Sequence, residues 1–370
     1  VEFRPLEKCC EVLDNKRKPI TKSAREAGEF PYYGANGVQD YVAGYIFDGV
    51  YVLVGEDGSV MTPNGNPVVN WAEGKIWVNN HAHIISEAKG VLLRYLFHYL
   101  QTVNVKPLIH GNIPKLTGGD FRALQSPVPP LPVQSEIVRI LDNFTELTAE
   151  LTAELTARKK QYEYYRNVLL RRHPTSTQVH LGDICSVITK GTTPKSYAKT
   201  GISFVKTEAF DGARIVPEKL SYVDEETHTT FLRRSILEEN DILVTIAGAT
   251  IGKCAMVPKE ILPANTNQAL AIIRLAKGNS PKYVMYLLQS DLMKQYMQKN
   301  IKGSAQPNLN LKQLNDFIIP LPPLSVQERL VQVLDNFEAI CSDLNIGLPA
   351  EIEARQKQYE YYRDKLLTFK

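Results

Sequence analysis

Apolar residues recur along two stretches of this chain at steps of three and four, and elsewhere in short runs broken by Gly, Pro and Asn. In the first stretch Ile137, Ile140, Phe144, Leu147, Leu151, Leu155, Arg158, Tyr162, Tyr165 and Leu169 keep that step. The pattern predicts one helix with a single stutter at Leu151–Leu155. Pro132 stands where a helix start tolerates proline, and His173-Pro174 supplies the stop. About 39 residues at ~1.5 Å each make roughly 58 Å of helix, too long to be stable without a partner along its apolar stripe. The second stretch carries Val326, Leu330, Val333, Phe337, Ile340 and Leu344, then Ile352, Tyr359, Tyr362 and Leu366. Gly347-Leu348-Pro349 interrupts it, so two stacked helices or one kinked helix are expected.

The two stretches are copies of each other. PPLPVQSEIVRILDNF (Pro129–Phe144) recurs as PPLSVQERLVQVLDNF (Pro322–Phe337), with 10 of 16 positions identical, and ARKKQYEYYRNVLL (Ala157–Leu170) recurs as ARQKQYEYYRDKLL (Ala354–Leu367), with 11 of 14 identical. The chain is thus a tandem duplication of a variable block followed by a near-constant one. Its boundaries are residues 1–126 for head one, 127–172 for the central helical region, 173–319 for head two and 320–370 for the C-terminal helical region. A helix that leaves head one delivers the chain to head two, and by repeat symmetry the second helical region runs back. The expected architecture is α+β: two globular heads separated by an antiparallel two-segment coiled coil with pseudo-two-fold symmetry. Phe144, Leu147, Leu151, Leu155, Tyr162, Tyr165, Phe337, Tyr359 and Tyr362 are its candidate packing and partner-binding residues. A plain dimerisation or scaffold element accounts for the same pattern.

The heads echo one another weakly. Leu6-x3-Cys10-x-Val12 matches Leu181-x3-Cys185-x-Val187, Val52-Leu53-Val54 matches Ile242-Leu243-Val244, and Val78–His83 matches Ala264–Ala269. Short β-branched runs between turn residues predict strands at Gly44–Val54, Gly74–Asn79, Ile242–Ile246 and Ala269–Leu275. Short helices follow around Val91–Leu100 and Lys282–Gln298. One ancestral fold with a diverged surface on a constant scaffold is the logic of a recognition device.

Composition and charge refine this only slightly. Of 370 residues 44% are apolar and 22% charged, which excludes global disorder. Five Cys with no C-x-x-C pair argue against a disulfide framework and a structural zinc site. No secretory leader and no membrane span are read from the sequence, so a cytoplasmic protein is expected. The net charge of +3 is uneven: head one is neutral, head two carries +4 and the C-terminal helical region −2. Phosphate contacts must therefore come from local patches. Candidates are Lys16, Arg17, Lys18, Lys22 and Arg25 in head one, and Lys190, Lys195 and Lys206 with Thr192 and Tyr197 in head two. Asn80, His81, Asn265, Asn267 and Gln268, in the matched Asn-rich turns, are candidates for reading base edges.

Catalytic patterns are weak. Gly248–Cys254 resembles a phosphate-binding loop but is one residue short and ends in Cys where Ser or Thr would hold magnesium, so a strand-turn-strand displaying Lys253 is expected. His81 and His83 lack partners at metal-ligand spacing, so no metal is expected. Asp57 with Glu73-Gly74-Lys75 loosely imitates a nuclease triplet, but Glu73-Gly74 reads as a turn. No Gly-rich S-adenosylmethionine loop follows a strand. Three hypotheses remain: a DNA-recognition protein, a two-headed protein-interaction scaffold, and a stand-alone metal-dependent nuclease.

The doubled LDNF and AR-x-KQYEYYR blocks, each behind a P-PPL-x-VQ hinge, resemble the specificity subunit of type I restriction-modification systems. Gly-Ala-Asn-Gly at Gly34–Gly37, Gly-Ala-Thr-Ile-Gly-Lys at Gly248–Lys253 and Gln306-Pro307-Asn308-Leu309 are similar to that family's recognition domains, which adds Asn36, Gln306 and Asn308 to the candidates. Head one departs from the second motif with Gly55-Glu56-Asp57-Gly58. The resemblance implies that each head reads half of a bipartite, asymmetric site in double-stranded DNA. It also implies a non-catalytic chain without a cofactor, whose helical region binds two modification subunits. Those subunits would carry S-adenosylmethionine and methylate adenine N6, and two restriction/translocase subunits would join for cleavage.

Overall fold

A computed structural model describes residues 1–109, 112–171, 174–248, 250–301, 308–342 and 346–369. His173, Gln306 and Leu344 lie outside the described residues. Head one runs β1 (Glu2–Pro5), β2 (Cys10–Val12), β3 (Ala27–Gly34), β4 (Gly37–Val42), β5 (Phe47–Gly55), β6 (Val69–Val78), β7 (Ala82–Glu87), α1 (Leu93–Leu100), α2 (Gly118–Ala123) and β8 (Gln125–Val128). The helix α3 (Leu131–Arg171) leads into β9 (Thr177–His180), β10 (Cys185–Lys190), β11 (Ile202–Val205), β12 (Phe210–Asp211), β13 (Arg214–Ile215), β14 (Ser221–Val223) and α4 (Glu225–Thr229). Then follow β15 (Ile242–Thr245), β16 (Cys254–Met256), β17 (Ala264–Thr266), β18 (Leu270–Leu275), α5 (Pro281–Gln289), α6 (Asp291–Asn300), α7 (Leu311–Asn315), β19 (Ile318–Leu321), α8 (Leu324–Ser342) and α9 (Leu348–Leu367). None of the described helices is long and apolar enough to cross a membrane.

The chain divides into two compact units, and each unit contains one head and parts of both helical regions: Val1–Ala153 with Ala350–Lys370, and Glu154–Pro349. In the first unit the sheet order is β2-β7-β5-β6-β3-β4; in the second β10-β18-β15-β16 forms one sheet and β14-β11-β17 another. The four-stranded frames correspond strand for strand. The ten-residue β6 pairs antiparallel with β5 and parallel with β3. Head two divides those roles between β16, antiparallel to β15, and β17, parallel to β11. Each head is also closed by its own ends, β1 with β8 and β9 with β19.

Strand alternation sends each face to its own core. Val52 and Val54 pack with Tyr95 and Leu96 of α1, whereas Leu53 packs with Ile76 and Ile84 on the other face. Head two keeps the same parity: Ile242 and Val244 pack with α5, and Leu243 with Ala255 and Ile272. The helical regions complete the α1 and α5 cores. Ile137, Leu141 and Leu367 enter the first, and Leu170, Leu330 and Leu334 the second. At about 2 kcal/mol for each fully buried leucine, Leu141 and Leu367 contribute about 4 kcal/mol to holding their helices on head one.

The Gln of each P-PPL-x-VQ hinge is buried and joins helix to head. Gln134 Oε1 accepts from Leu92 N (2.9 Å) and its Nε2 donates to Pro129 O (2.8 Å). Gln327 repeats both bonds with Ser280 N (2.9 Å) and Pro322 O (2.9 Å). Likewise Tyr95 Oη donates to Pro127 O (2.9 Å) and Tyr283 Oη to Pro320 O (2.8 Å). About two turns further along, Asp142 accepts from Arg94 and His98 (2.8 Å each), where Asp335 meets Lys282 (2.7 Å) and Tyr286 (2.5 Å).

Along the helices, Phe144 stacks on Tyr362 in the first unit (5.4 Å between ring centres), and Phe337 packs on Tyr162 and Tyr165 in the second (6.4 and 6.0 Å). The apolar stripe is set one residue away from part of the sequence expectation. Val333 and Ile340 are 44% and 46% exposed, whereas Leu334 and Cys341 are buried. Leu147, Leu151, Leu155 and Tyr359 are half-buried.

Two further expectations are corrected. The helix expected over Lys282–Gln298 is two helices, because Ser290 is extended and its hydroxyl caps α6 by accepting from Leu292 N (3.3 Å). Glu73-Gly74 is not a turn but lies within β6, where Gly74 at φ +78° faces Gly49 of β5. The second helical region is two helices, α8 and α9, one of the two forms anticipated.

Candidate nucleic-acid interface

In both heads the same strand ends meet at one edge of the sheet. Glu56 follows β5, and its N–H donates to His81 O (2.8 Å) just ahead of β7; Leu116 N donates to Glu56 O (2.8 Å) and Lys18 N to Val78 O (3.2 Å). In head two Ile246 N donates to Ala269 O (2.8 Å) ahead of β18, Leu309 N to Ile246 O (2.8 Å) and Thr192 N to Thr266 O (2.9 Å). These shared bonds pair Lys18 with Thr192, Asn80 with Gln268, and Lys115 with Asn308, and they correct the sequence match of Val78–His83 to Ala264–Ala269 by two residues, since Val78 takes the place of Thr266 and His81 that of Ala269.

The rim of head one exposes Lys16, Lys18, Asn80 and His81, and the β3–β4 hairpin adds Asn36 and Gln39. The rim of head two exposes Lys190, Lys253, Gln268 and Asn308, with Thr192 and Asn267 half-buried. Lys253 sits in a strand-turn-strand as expected: Thr245 N donates to Lys253 O (2.8 Å), and β15 pairs antiparallel with β16.

Beneath the head-one rim lies a charged cluster that sequence spacing did not reveal. Donor atoms of Asp14, Glu56 and His83 lie within 4.8 Å of one another. Arg17 already occupies the cluster, with Nη1 2.6 Å from Glu56 and Nη2 3.7 Å from Asp14, and Lys115 Nζ reaches Glu56 at 3.3 Å. His83 faces acceptors at both ring nitrogens, Asp14 Oδ2 (2.7 Å) and Leu116 O (3.0 Å). Both ring nitrogens of His83 are engaged and Arg17 bridges the two carboxylates, so the donor set is suited to an ion-pair network. Burial works against the Asp14 carboxylate, yet the His83 and Ile84 hydrogen bonds and the Arg17 charge hold its pKa below the ordinary value.

The sequence candidates separate into groups. Arg17 is withdrawn as a phosphate contact: it is 11% exposed and also donates to Ala82 O (2.6 Å). Asn265 is withdrawn as a base reader, because it is fully buried, bonding His228 Nδ1 (2.6 Å) and donating to Leu232 O (3.0 Å). Arg25 braces the β3–β4 hairpin through Asp40 (3.1 Å), which lowers that carboxyl's pKa, and lies over the Tyr32 ring. Lys22 is exposed nearby. Lys206 lies 4.8 Å over the Tyr197 ring and Lys195 6.0 Å over Phe231.

The nuclease triplet is not assembled. Asp57 accepts a hydrogen bond from His81 beyond the end of β5, whereas Glu73 and Lys75 sit opposite Val50 and Asp48. Five or more strand residues at ~3.3 Å each separate the two places by roughly 17 Å. Gln39, Ser59 and Lys115 are rim residues that sequence reasoning missed, and Asp57, singled out there only for the nuclease triplet, joins them. Among them only Lys115 carried a positive charge that could have flagged it.

A duplicated frame, chemically distinct rims on matched strand ends and a repeated helical mount define a class of two-headed recognition proteins. The chain belongs to the family of type I restriction-modification DNA specificity subunits. The family model for the Type I restriction modification DNA specificity domain matches residues 1–158 and again residues 175–354. A Haemophilus influenzae protein assigned provisionally as a type I restriction enzyme specificity subunit is 37% identical over 384 residues, covering 100% of this chain and 96% of that protein. The EcoR124I/EcoR124II specificity subunit of Escherichia coli is 32% identical over 294 residues, covering 75% of this chain and 71% of that one. Among solved structures, a chain from work on complex assembly and conformational transition of the type I R-M system shares the fold at a TM-score of 0.64, 15% identity and coverage of 99% and 97%. The type I S subunit from M. genitalium does so at 0.55, 14% identity and coverage of 100% and 96%.

Proposed function

We propose that each head reads one half of a bipartite site in duplex DNA, and that the helical regions form one antiparallel coiled coil that sets the unread spacer. The observation that carries this reading is the matched pair of rims, which share a backbone frame and differ in side chains. The ring contacts support the antiparallel arrangement: residues early in α3 meet residues late in α9, and residues late in α3 meet the middle of α8. Heads fixed on such a rod would approach successive major-groove faces, roughly 34 Å apart.

Catalysis in this reading belongs to two modification subunits that carry S-adenosylmethionine and methylate adenine N6, with two restriction subunits added for cleavage. The helices support docking of one partner in two copies: Tyr164 and Tyr165 are 64% and 43% exposed, and their repeat equivalents Tyr361 and Tyr362 are 59% and 42% exposed. Large exposed apolar side chains that recur by symmetry are the kind of surface a repeated partner covers. The near-neutral chain would supply discrimination, leaving much of the phosphate attraction to those partners.

The test is the pattern of N6-methyladenine in cells expressing this chain with its methyltransferase partner. One bipartite motif of two short half-sites and a fixed spacer is the expected result. A contiguous motif, or methylation unaffected by the chain, contradicts the reading.

A further inference from the structure

In head one the turn after β5, the turn before β7 and the β3–β4 hairpin enclose an open cavity of about 410 Å³, lined by Asn36, Gln39, Asp57, Ser59, His81 and Ile113 among others. The Asp57 carboxylate accepts a hydrogen bond from His81 Nδ1. A carboxylate has no proton to give, so the hydrogen of this bond belongs to Nδ1. The second Asp57 oxygen remains an acceptor. The Asp57 side chain is 22% exposed and that of His81 48%, so both reach the cavity surface without being free to turn at random. Ile113, 69% exposed, places an apolar group at the same cavity.

We propose that this cavity is where head one selects a base pair presenting an exocyclic amine at its major-groove edge, with the Asp57 carboxylate as the acceptor and His81 holding it in place. This rests on the DNA-reading role proposed above. Adenine N6 and cytosine N4 offer the matching protons, whereas guanine O6 and thymine O4 would set acceptor against acceptor. Ile113 favours adenine over cytosine, because the thymine opposite adenine adds a methyl group at the same groove edge. In head two Ala247 stands at the position matching Asp57, beside Asn308, which offers a donor as well as an acceptor. The carboxylate acceptor at this position is therefore particular to head one.

The experiment uses the chain in complex with its methyltransferase partner and begins from the wild-type methylation motif. Duplexes are made in which each adenine or cytosine of the head-one half-site, other than the methylated adenine, is replaced by an analogue lacking the exocyclic amine. Binding is expected to fall about tenfold or more at one position, the range of a lost base-edge pair. The Asp57→Asn complex is expected to admit guanine or thymine at that same position, with the other half-site and the spacer unchanged. The proposal is overturned if no amine deletion in that half-site weakens wild-type binding, or if Asp57→Asn methylates the unaltered motif with unaltered selectivity. Absence of any bipartite wild-type motif would instead overturn the DNA-reading role itself. The wild-type duplex series stands even if the variant does not fold.

Discussion

Where head one buries Asp14, Glu56 and His83 around Arg17, head two places Ile246 and Ala271 at the positions matching Glu56 and His83, and both belong to its apolar core. The backbone bonds around those positions are the same. A hydrogen-bonded strand-end frame thus tolerates either an ion cluster or a packed apolar floor beneath it. The difference decides what the rim can present. Over the ion cluster the rim carries the Asp57 carboxylate, whereas over the apolar floor Ala247 stands at that position. A second contrast lies at the helix junctions, where His98 in the first unit corresponds to Tyr286 in the second.

The largest way to break the first contrast is Arg17→Met, which strands buried carboxylates. It is expected to cost head one about 4 kcal/mol, and hydrogen exchange should show the loss in the first unit while leaving the second unit protected.

The junction contrast is tested by acid. Burial, ahead of the opposing Asp142 hydrogen bond, lowers the His98 pKa to about 4. The unfolded chain takes up a proton near pH 6.5 and the folded unit does not, so stability falls as pH drops from about 6.5 to about 4 and levels off below. The loss approaches about 3 kcal/mol in the first unit. The second unit has no titrating group at that position over that range. Equal acid sensitivity of the two units in hydrogen exchange would contradict this assignment.

Where the units agree, substitutions should agree. Gln134→Ala and Gln327→Ala each strand a buried N–H and a proline carbonyl, and each is expected to cost about 2 kcal/mol in thermal unfolding. A large disparity would mean that the hinges are not equivalent. The smallest effect concerns the lysines. Lys18→Ala in head one and Lys190→Ala or Lys253→Ala in head two are each expected to reduce the salt dependence of DNA binding by about one ion without altering the motif.

The sequence made the duplication, the helical regions and the central strands β5 and β15 legible because each rests on local periodicity or direct repetition. Matching Val52-Leu53-Val54 to Ile242-Leu243-Val244 located the central strand of both heads, and the observed pairings preserve it. The buried stripe of α8 was less legible: Val333 and Leu334 are both apolar, and periodicity alone does not choose between neighbours. The Asp14–Glu56–His83 cluster was hidden because its members are scattered along the sequence and meet only through strand pairing. Asn265 misled because an Asn-rich turn suits a surface reader, yet its side chain satisfies buried partners. Glu73-Gly74 suggested a turn because glycine at positive φ also serves inside a strand, where Gly74 faces Gly49.

The central claim is that two independent readers are held at a fixed separation by a helical ruler. Glu-Leu-Thr-Ala occurs three times in succession within α3, at Glu146–Ala149, Glu150–Ala153 and Glu154–Ala157. Removing one tetrad shortens a helix by ~6 Å, roughly two base pairs of rise. The decisive measurement is the methylated motif produced by the chain lacking one tetrad together with its methyltransferase partner. A spacer shorter by one or two base pairs with both half-sites unchanged is the predicted result. Altered half-site sequences with an unchanged spacer would contradict the account.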